Sequence, residues 1–208
     1  MDSFTLLHHA LDKGYDVDCI TFDYGQRHIK EVECARLICE EHNLTNLLIE
    51  IANVESIFAK SALTSKDIEV PHGSYQSETM QTTIVPNRNM LFISHAIAYA
   101  ISQNLESVWY GAHAGDHFIY PDCRPEFLSA MNTVARSCHT FPISVEAPFL
   151  NFTKAEIIKK GLELGIDYSR TWTCYEGQES ACGKCGSCNE RLEAFAINNS
   201  TDPLHYKA

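Results

Sequence analysis

Short apolar runs rich in β-branched residues recur along this chain, each set beside a stretch with helical spacing, and that alternation restricts the fold more than any other feature. Val17-Asp-Cys-Ile-Thr-Phe22 lies between Gly14 and Asp23-Tyr-Gly25 and reads as a buried strand ending in a loop. Residues 4–13 before it read as a helix. After it, residues 27–42 set Ile29, Val32, Ala35, Leu37 and Ile38 among charges, as a helix does, and residues 47–51 form the next apolar strand. Residues 89–103 then read as an apolar helix and Ser107-Val-Trp-Tyr110 as a strand stopped by Gly111. The alternation predicts an α/β fold: a parallel sheet with crossover helices. Further helices are expected up to about Arg136 and from Thr153, an N-cap with Glu156 three residues on, to near Gly165. Residues 60–84 have little periodicity and read as a long loop or mobile lid.

The second strong feature is Cys174, Cys182, Cys185 and Cys188 in one glycine-containing loop. Four thiolates match the demand of a tetrahedral zinc ion, and a complete set of four leaves no position open for water or substrate, so the site is read as structural. A pair of disulfides or free thiols is the bland alternative. With 208 residues and 45% hydrophobic side chains the chain suits one substantial core. The expected organisation is an α/β domain over 1–170 with a zinc-binding segment over 171–208. A net charge of −11 argues against nonspecific nucleic-acid binding and favours a small-molecule substrate. No apolar run approaches the roughly 20 residues that span a bilayer. Nine cysteines fit a reducing compartment, so a soluble, cytoplasmic protein with no membrane partner is expected.

Ligands of open α/β sheets bind outside the carboxyl ends of the strands, and polar loops at 23–28, 111–117 and 120–124 fall there. Arg27 offers a planar fork that pairs with two oxygens of a phosphate or carboxylate. Asp122 can accept from a guanine-like amino and ring N–H edge, and Arg124 can neutralise an anion. Cys123 between them reads as a pocket-wall thiol more than as a nucleophile. Lys154, in the first turn of its helix, either reaches a phosphate or is solvated. Phe22, Tyr24, Tyr120 and Trp172 either stack on a purine-like ring or belong to the core. His113, Asp116 and His117 make a weak case for a second metal site, with Asp116 the best of the three. Asp2 and Ser3 could simply cap the first helix, as Asn87 or Asn89 could cap the fourth.

Taken together, the loops resemble the 7-cyano-7-deazaguanine synthase family of the PP-loop ATP pyrophosphatase superfamily. The carriers are Phe22-Asp-Tyr-Gly-Gln-Arg-His28, Ser61-Ala-Leu-Thr64, Val85-Pro-Asn-Arg-Asn89, Tyr120-Pro-Asp-Cys-Arg-Pro-Glu-Phe127, Thr153-Lys-Ala-Glu-Ile157 and Thr171-Trp-Thr-Cys-Tyr175. The resemblance runs the length of the chain. It implies a Rossmann-like, adenine nucleotide alpha-hydrolase-like sheet, a homodimer, and a ligase that converts 7-carboxy-7-deazaguanine and ammonia to the nitrile with ATP and Mg2+. It further implies that Asp122, Arg124, Arg27 and Lys154 serve catalysis. Asp2, Ser3, Phe22, Asp23, Tyr24, Gln26, Arg88, Asn89, Gly111 and Asp116 would border the nucleotide, and the four cysteines would hold zinc.

The family's opening strand and Ser-Gly-Gly-x-Asp-Ser phosphate loop are matched only in their last three places, by Met1-Asp2-Ser3. A late recorded start is the expectation, with loss of nucleotide binding as the alternative. Two other functions stay open at this point: a relative that stops at the amide or modifies another molecule, and a non-catalytic deazapurine-binding homologue.

Overall fold

The computed structural model describes residues 1–75 and 78–207. In chain order the elements are α1 (Asp2–Asp12), β1 (Cys19–Asp23), α2 (Lys30–Glu41), β2 (Asn46–Glu50), the single turn α3 (Val54–Ile57) and α4 (Arg88–Gln103). There follow β3 (Ser107–Trp109), α5 (Pro125–Ser137), β4 (Ser144–Glu146), α6 (Lys154–Glu163) and α7 (Gly186–Ile197). The chain divides into two compact units, Met1–Pro86 with Lys154–Ala208, and Asn87–Thr153.

The expected α/β architecture is present as parallel strand pairs with flanking helices. In the first unit β1 pairs with β2 from Cys19↔Asn46 to Asp23↔Glu50, and α2 makes the crossover. Its core joins Phe4 and Leu7 of α1 to Ile38, Ile158, Ile166, Tyr168 and Phe195. Burying each of the large apolar side chains contributes about 1.5–3 kcal/mol. Gly161 is required by packing, since a Cβ there would lie 1.8 Å from the Tyr168 hydroxyl. That hydroxyl lies 2.7 Å from Thr5 Oγ1, and burial pushes its pKa up to about 12.

Arg191 of α7, 0% exposed, crosses the same unit. Its Nε and Nη2 donate to the two oxygens of Asp202 at 2.7 and 2.8 Å, Nη1 donates to Thr171 Oγ1 at 2.8 Å, and Nη2 also donates to the Tyr168 carbonyl at 3.0 Å. A buried guanidinium needs this degree of satisfaction, because an unpaired charge in low dielectric is costly.

In the second unit β3 pairs with β4 from Ser107↔Ser144 to Trp109↔Glu146. Ile93, Ile97 and Ala100 of α4 pack with Met131 and Ala135 of α5 and with Ile143 and Val145. Asn132 of α5 completes the short strand β4. Its Oδ1 accepts from Val145 N at 2.9 Å and its Nδ2 donates to Val145 O at 2.6 Å, pairing backbone groups as a neighbouring strand would.

Several expectations are corrected. Helix α1 begins at Asp2 with Met1 at its N-cap position, so Ser3 sits inside the first turn and does not cap it. Asn87 occupies the N-cap position of α4 in a left-handed backbone, φ 59°, without a side-chain cap bond, and Asn89 lies within the helix. Helix α2 starts at Lys30 and not at residue 27, because Gln26 and His28 are turned inward. The 60–84 segment carries neither strand nor α-helix among its described residues, as a long loop should, yet it is anchored at both ends: Ser61, Ala62, Leu63, Met80 and Thr83 are buried, and Ala62 N bonds Thr82 O at 2.8 Å, while residues 66, 67, 69 and 72–74 are exposed. Residues 76 and 77 of that expected loop lie outside the described residues. Strand β4 and helix α7 were not expected.

Candidate functional site

In the first unit the loop after β1 is held by its own polar groups. Tyr24 N donates to Gln26 Oε1 at 2.8 Å, while Gln26 Nε2 donates to Phe22 O at 3.0 Å and to Glu31 Oε1 at 3.1 Å. Asp23 Oδ1 accepts from Gly25 N at 3.0 Å. Gly25, φ +73°, is needed because any Cβ would strike Val54 at 2.6 Å. Arg27 donates through Nη2 to Ser65 O at 2.9 Å and through its backbone N–H to Leu63 O at 2.8 Å. Gly177 closes against the same stretch, where a Cβ would sit 1.9 Å from Arg27 O. This loop is therefore fixed to residues 63–65 and to the start of the cysteine segment.

Lys154 is 8% exposed and lies between two carboxylates, with Nζ 2.6 Å from Asp2 Oδ2 and 3.4 Å from Glu190 Oε2. The structure thus brings predicted residues Asp2 and Lys154 together at the N-terminal turn of α1. Glu190 escaped sequence reasoning because the helix that carries it, α7, was not recognised behind the cysteines.

The four cysteine sulfurs lie within 4.8 Å of one another. Cys182 Sγ is 3.9 Å from Cys188 Sγ, far beyond the roughly 2.05 Å of a disulfide and close to the edge of about 3.8 Å expected of a tetrahedron with Zn–S near 2.3 Å. Backbone amides point at the sulfurs: Cys182 N to Cys174 Sγ at 3.3 Å, and Lys184 N and Cys185 N to Cys182 Sγ at 3.4 and 3.3 Å. Such bonds favour thiolate. Hydrogen bonds from the thiols of Cys185 and Cys188 draw the Cys174 pKa down, and hydrogen bonds to Cys174 and Cys185 raise that of Cys188. Val70, Trp172, Ala181, Leu204 and Tyr206 pack around the cluster. Trp172 donates Nε1 to Cys174 O at 2.9 Å and lies under Lys30, whose Nζ is 4.3 Å from the ring centroid. Its ring is thus part of this packing.

In the second unit Arg88, Asn89, Asp116 and Asp122 lie near Cys123, and Arg124 follows it at the start of α5, by virtue of α4 and the turns after β3, while Gly111 directly follows Tyr110, the residue after the strand. Asp122 Oδ2 accepts from Asn89 N at 3.2 Å, so a carboxylate from another element caps the first turn of α4. Asn89 Nδ2 donates to Asp122 O at 3.3 Å and lies 3.4 Å from Cys123 Sγ. Arg124 Nε donates to His117 O at 2.8 Å, which fixes the guanidinium at the start of α5. His113 is buried, takes Gly115 N on Nδ1 at 3.1 Å, and has Nε2 3.5 Å from Asp116 Oδ1. No three-ligand metal grouping containing His113, Asp116 and His117 exists among the described residues.

Burial, reinforced by Asp116 and Asp122, pushes the Cys123 thiol well above its ordinary range, so it is a neutral, buried thiol. The same causes, with Cys123, raise Tyr110. The Tyr110 hydroxyl is buried and has no hydrogen-bond partner among the described residues. Sequence reading placed Tyr110 at the end of a strand without assigning it a role. A cavity of about 460 Å3 in the first unit, lined by Ser74, Tyr75, Asn189, Leu192, Glu193 and Ala196, contains none of the predicted site residues.

The family described as queuosine biosynthesis protein QueC matches residues 1–199 of this chain. The chain belongs to the QueC family. The QueC match spans the Asp2–Lys154 pair, the Asp116–Asp122 turn and all four cysteines. Relatives agree along the same length. A protein named 7-cyano-7-deazaguanine synthase from Hahella chejuensis is 54% identical over 208 residues, which is 100% of this chain and 90% of that one. One of the same name from Pseudoalteromonas translucida is 51% identical, covering 100% and 94%. A third, 7-cyano-7-deazaguanine synthase 2 from Colwellia psychrerythraea, is 52% identical, covering 99% and 94%. In this QueC-family chain no helix among the described residues is long and apolar enough to cross a membrane.

Proposed function

We propose that the chain is a 7-cyano-7-deazaguanine synthase, an ATP-dependent ligase that turns 7-carboxy-7-deazaguanine and ammonia into the nitrile. The observation that carries this reading is similarity to proteins of that name, 51–54% identical over essentially the whole chain, together with the family match. The chemistry requires two activations. The substrate carboxylate displaces pyrophosphate from ATP and becomes an acyl adenylate; ammonia adds, AMP leaves, and loss of a proton gives the amide. The amide oxygen then takes a second AMP with release of pyrophosphate, and departure of that AMP with loss of the two N–H protons leaves the nitrile. Each adenylation makes a good leaving group of an oxygen that is otherwise a poor one.

The residues fit these tasks as follows. Lys154, buried between Asp2 and Glu190, is suited to phosphate charge, with Ser3 and the N-terminal turn of α1 beside it. Arg27 is read as a second anion contact, and Phe22, Asp23, Tyr24, Gln26, Arg88, Asn89 and Gly111 as the nucleotide's borders. Asp122 is read as the acceptor for the amino and ring N–H edge of the deazaguanine, Asp116 as a further contact of the nucleotide, and Arg124 as the partner of the substrate carboxylate. Mg2+ bound with ATP would supply neutralisation of charge at the phosphates, with Asp2 read by the family resemblance as a carboxylate that helps hold it. The four cysteines fit Zn2+ by ligand type and by spacing, and in that role they stabilise the 171–208 segment beside the ATP-binding 1–170 region. A cytoplasmic homodimer completes the reading by family resemblance.

The test is stoichiometry. Supplied with the carboxylate, ammonia and Mg-ATP, the protein should form nitrile and two pyrophosphates per nitrile; supplied with the amide, one. Accumulation of amide with one pyrophosphate would identify an amide-forming enzyme instead.

A further inference from the structure

Among the described residues a second group of metal-type ligands shares one sulfur with the four-cysteine set and has no assigned task. His72, Glu176 and Cys182 bring an imidazole nitrogen, a carboxylate oxygen and a sulfur within 4.8 Å of one another. His72 Nε2 is 3.0 Å from Glu176 Oε1. Two ligands of a single tetrahedral ion at about 2.0–2.2 Å sit roughly 3.3–3.6 Å apart, so the pair needs to open by only a few tenths of an ångström to admit one. The imidazole is not carried there by a loose side chain alone. Residue 72 bridges Cys185 in antiparallel fashion, Gly73 N bonds Lys184 O at 3.0 Å, and Asn189 Nδ2 donates to Gly73 O at 2.6 Å. Backbone pairing thus docks the histidine's segment onto the cysteine loop.

Access and charge favour a second ion at this place. Cys174, Cys185 and Cys188 are buried, whereas Cys182 is the partly exposed member of the four, and His72 is 52% exposed. A zinc ion held by four thiolates carries a net charge of about −2, and Glu176 adds another negative charge at its rim. A thiolate sulfur retains lone pairs after binding one ion. We infer that His72, Glu176 and the shared sulfur of Cys182 form a second, solvent-facing site for a borderline divalent cation such as Zn2+ or Co2+, with its remaining positions taken by water. Nitrogen, oxygen and sulfur together select such an ion over Mg2+ or Ca2+, which prefer all-oxygen sets. The inference rests on the reading that the four cysteines hold zinc.

The experiment is metal stoichiometry on the whole protein. Purified protein is dialysed to equilibrium against Co2+ at concentrations rising through the micromolar range, with Mg2+ present, and total zinc plus cobalt per chain is measured alongside the visible cobalt bands. His72→Ala and Glu176→Gln are carried in parallel, both at sites with a solvent-reachable side chain. The expected result is two ions per chain in the native protein and one in each variant, with new tetrahedral-type cobalt bands in the native protein alone. One ion per chain in all three proteins would overturn the second site and leave the four-cysteine reading standing. Two ions in all three would overturn the assignment to His72 and Glu176. No tightly held ion in any of them would overturn both readings.

Discussion

The polar groups of the two units are arranged differently. In the first unit many polar groups around the loop after β1 and along the cysteine segment bond one another: Gln26 bonds Tyr24, Phe22 and Glu31, and Arg191 bonds Asp202, Thr171 and Tyr168, while Arg27 Nε and His28 Nδ1 of the same loop are buried without a partner among the described residues. In the second unit the turns after β3 gather Asp116, Asp122 and Cys123 near a buried Tyr110 hydroxyl that has no partner among the described residues. Density of polar residues at a strand end is thus not one signal but two. Where protein groups satisfy each other completely, as around Arg191, the cluster organises the fold, and where acids crowd a neutral thiol and a phenol the cluster is better suited to a ligand's donors.

On that contrast, substitutions at the four cysteines and at Arg191 should act on stability, and those at Asp122 on turnover. The largest effect is expected from Cys188→Ser, which should lose bound metal and destabilise the chain by several kcal/mol, lowering Tm by about 10 °C or more. Metal analysis and thermal unfolding of the same sample check it. Next is Arg191→Leu, which strands the Asp202 carboxylate in the interior and should cost about 3–5 kcal/mol, read as a fall in the urea midpoint with little change in its slope.

Asp122→Asn reverses the pattern. The amide oxygen can still accept from Asn89 N, so the stability loss should stay within about 1 kcal/mol, the size of a charge effect at a helix N-terminus. Loss of a charged acceptor for substrate should lower kcat/KM by about 10–100-fold. Tyr110→Phe is the smallest case. It removes a buried hydroxyl that bonds nothing described, so Tm should be unchanged or raised by the equivalent of up to about 1 kcal/mol, and a clear drop would contradict the second unit's description.

Much of the fold was legible because periodicity survives where one face is buried. Cys19–Asp23, Asn46–Glu50 and Arg88–Gln103 all fall within a residue or two of the positions read from pattern. What stayed hidden had a physical reason. β4 is three residues long and depends on the side chain of Asn132, a tertiary contact without local signature. α7 begins at Gly186 with Cys185 at its N-cap position, so its first turn presents cysteine and glycine where an apolar stripe would be sought. The cysteine set was legible because metal ligation imposes spacing on the sequence itself. Glu190 and Arg191 were not, since their partners Lys154 and Asp202 lie 36 and 11 residues away. Tyr110 was visible as a strand end, yet only burial without a partner distinguishes it from an ordinary core tyrosine.

The most direct test of the account compares native protein and Asp122→Asn in one experiment, following nitrile from 7-carboxy-7-deazaguanine, ammonia and Mg-ATP by mass spectrometry and the melting temperature by calorimetry. The account predicts nitrile from the native protein, formation slowed at least tenfold in the variant, and a melting temperature lower by no more than about 4 °C. Equal nitrile formation by both proteins, or a large fall in melting temperature that accounts for the lost activity, would show that the Asp122 carboxylate serves the fold and not the substrate.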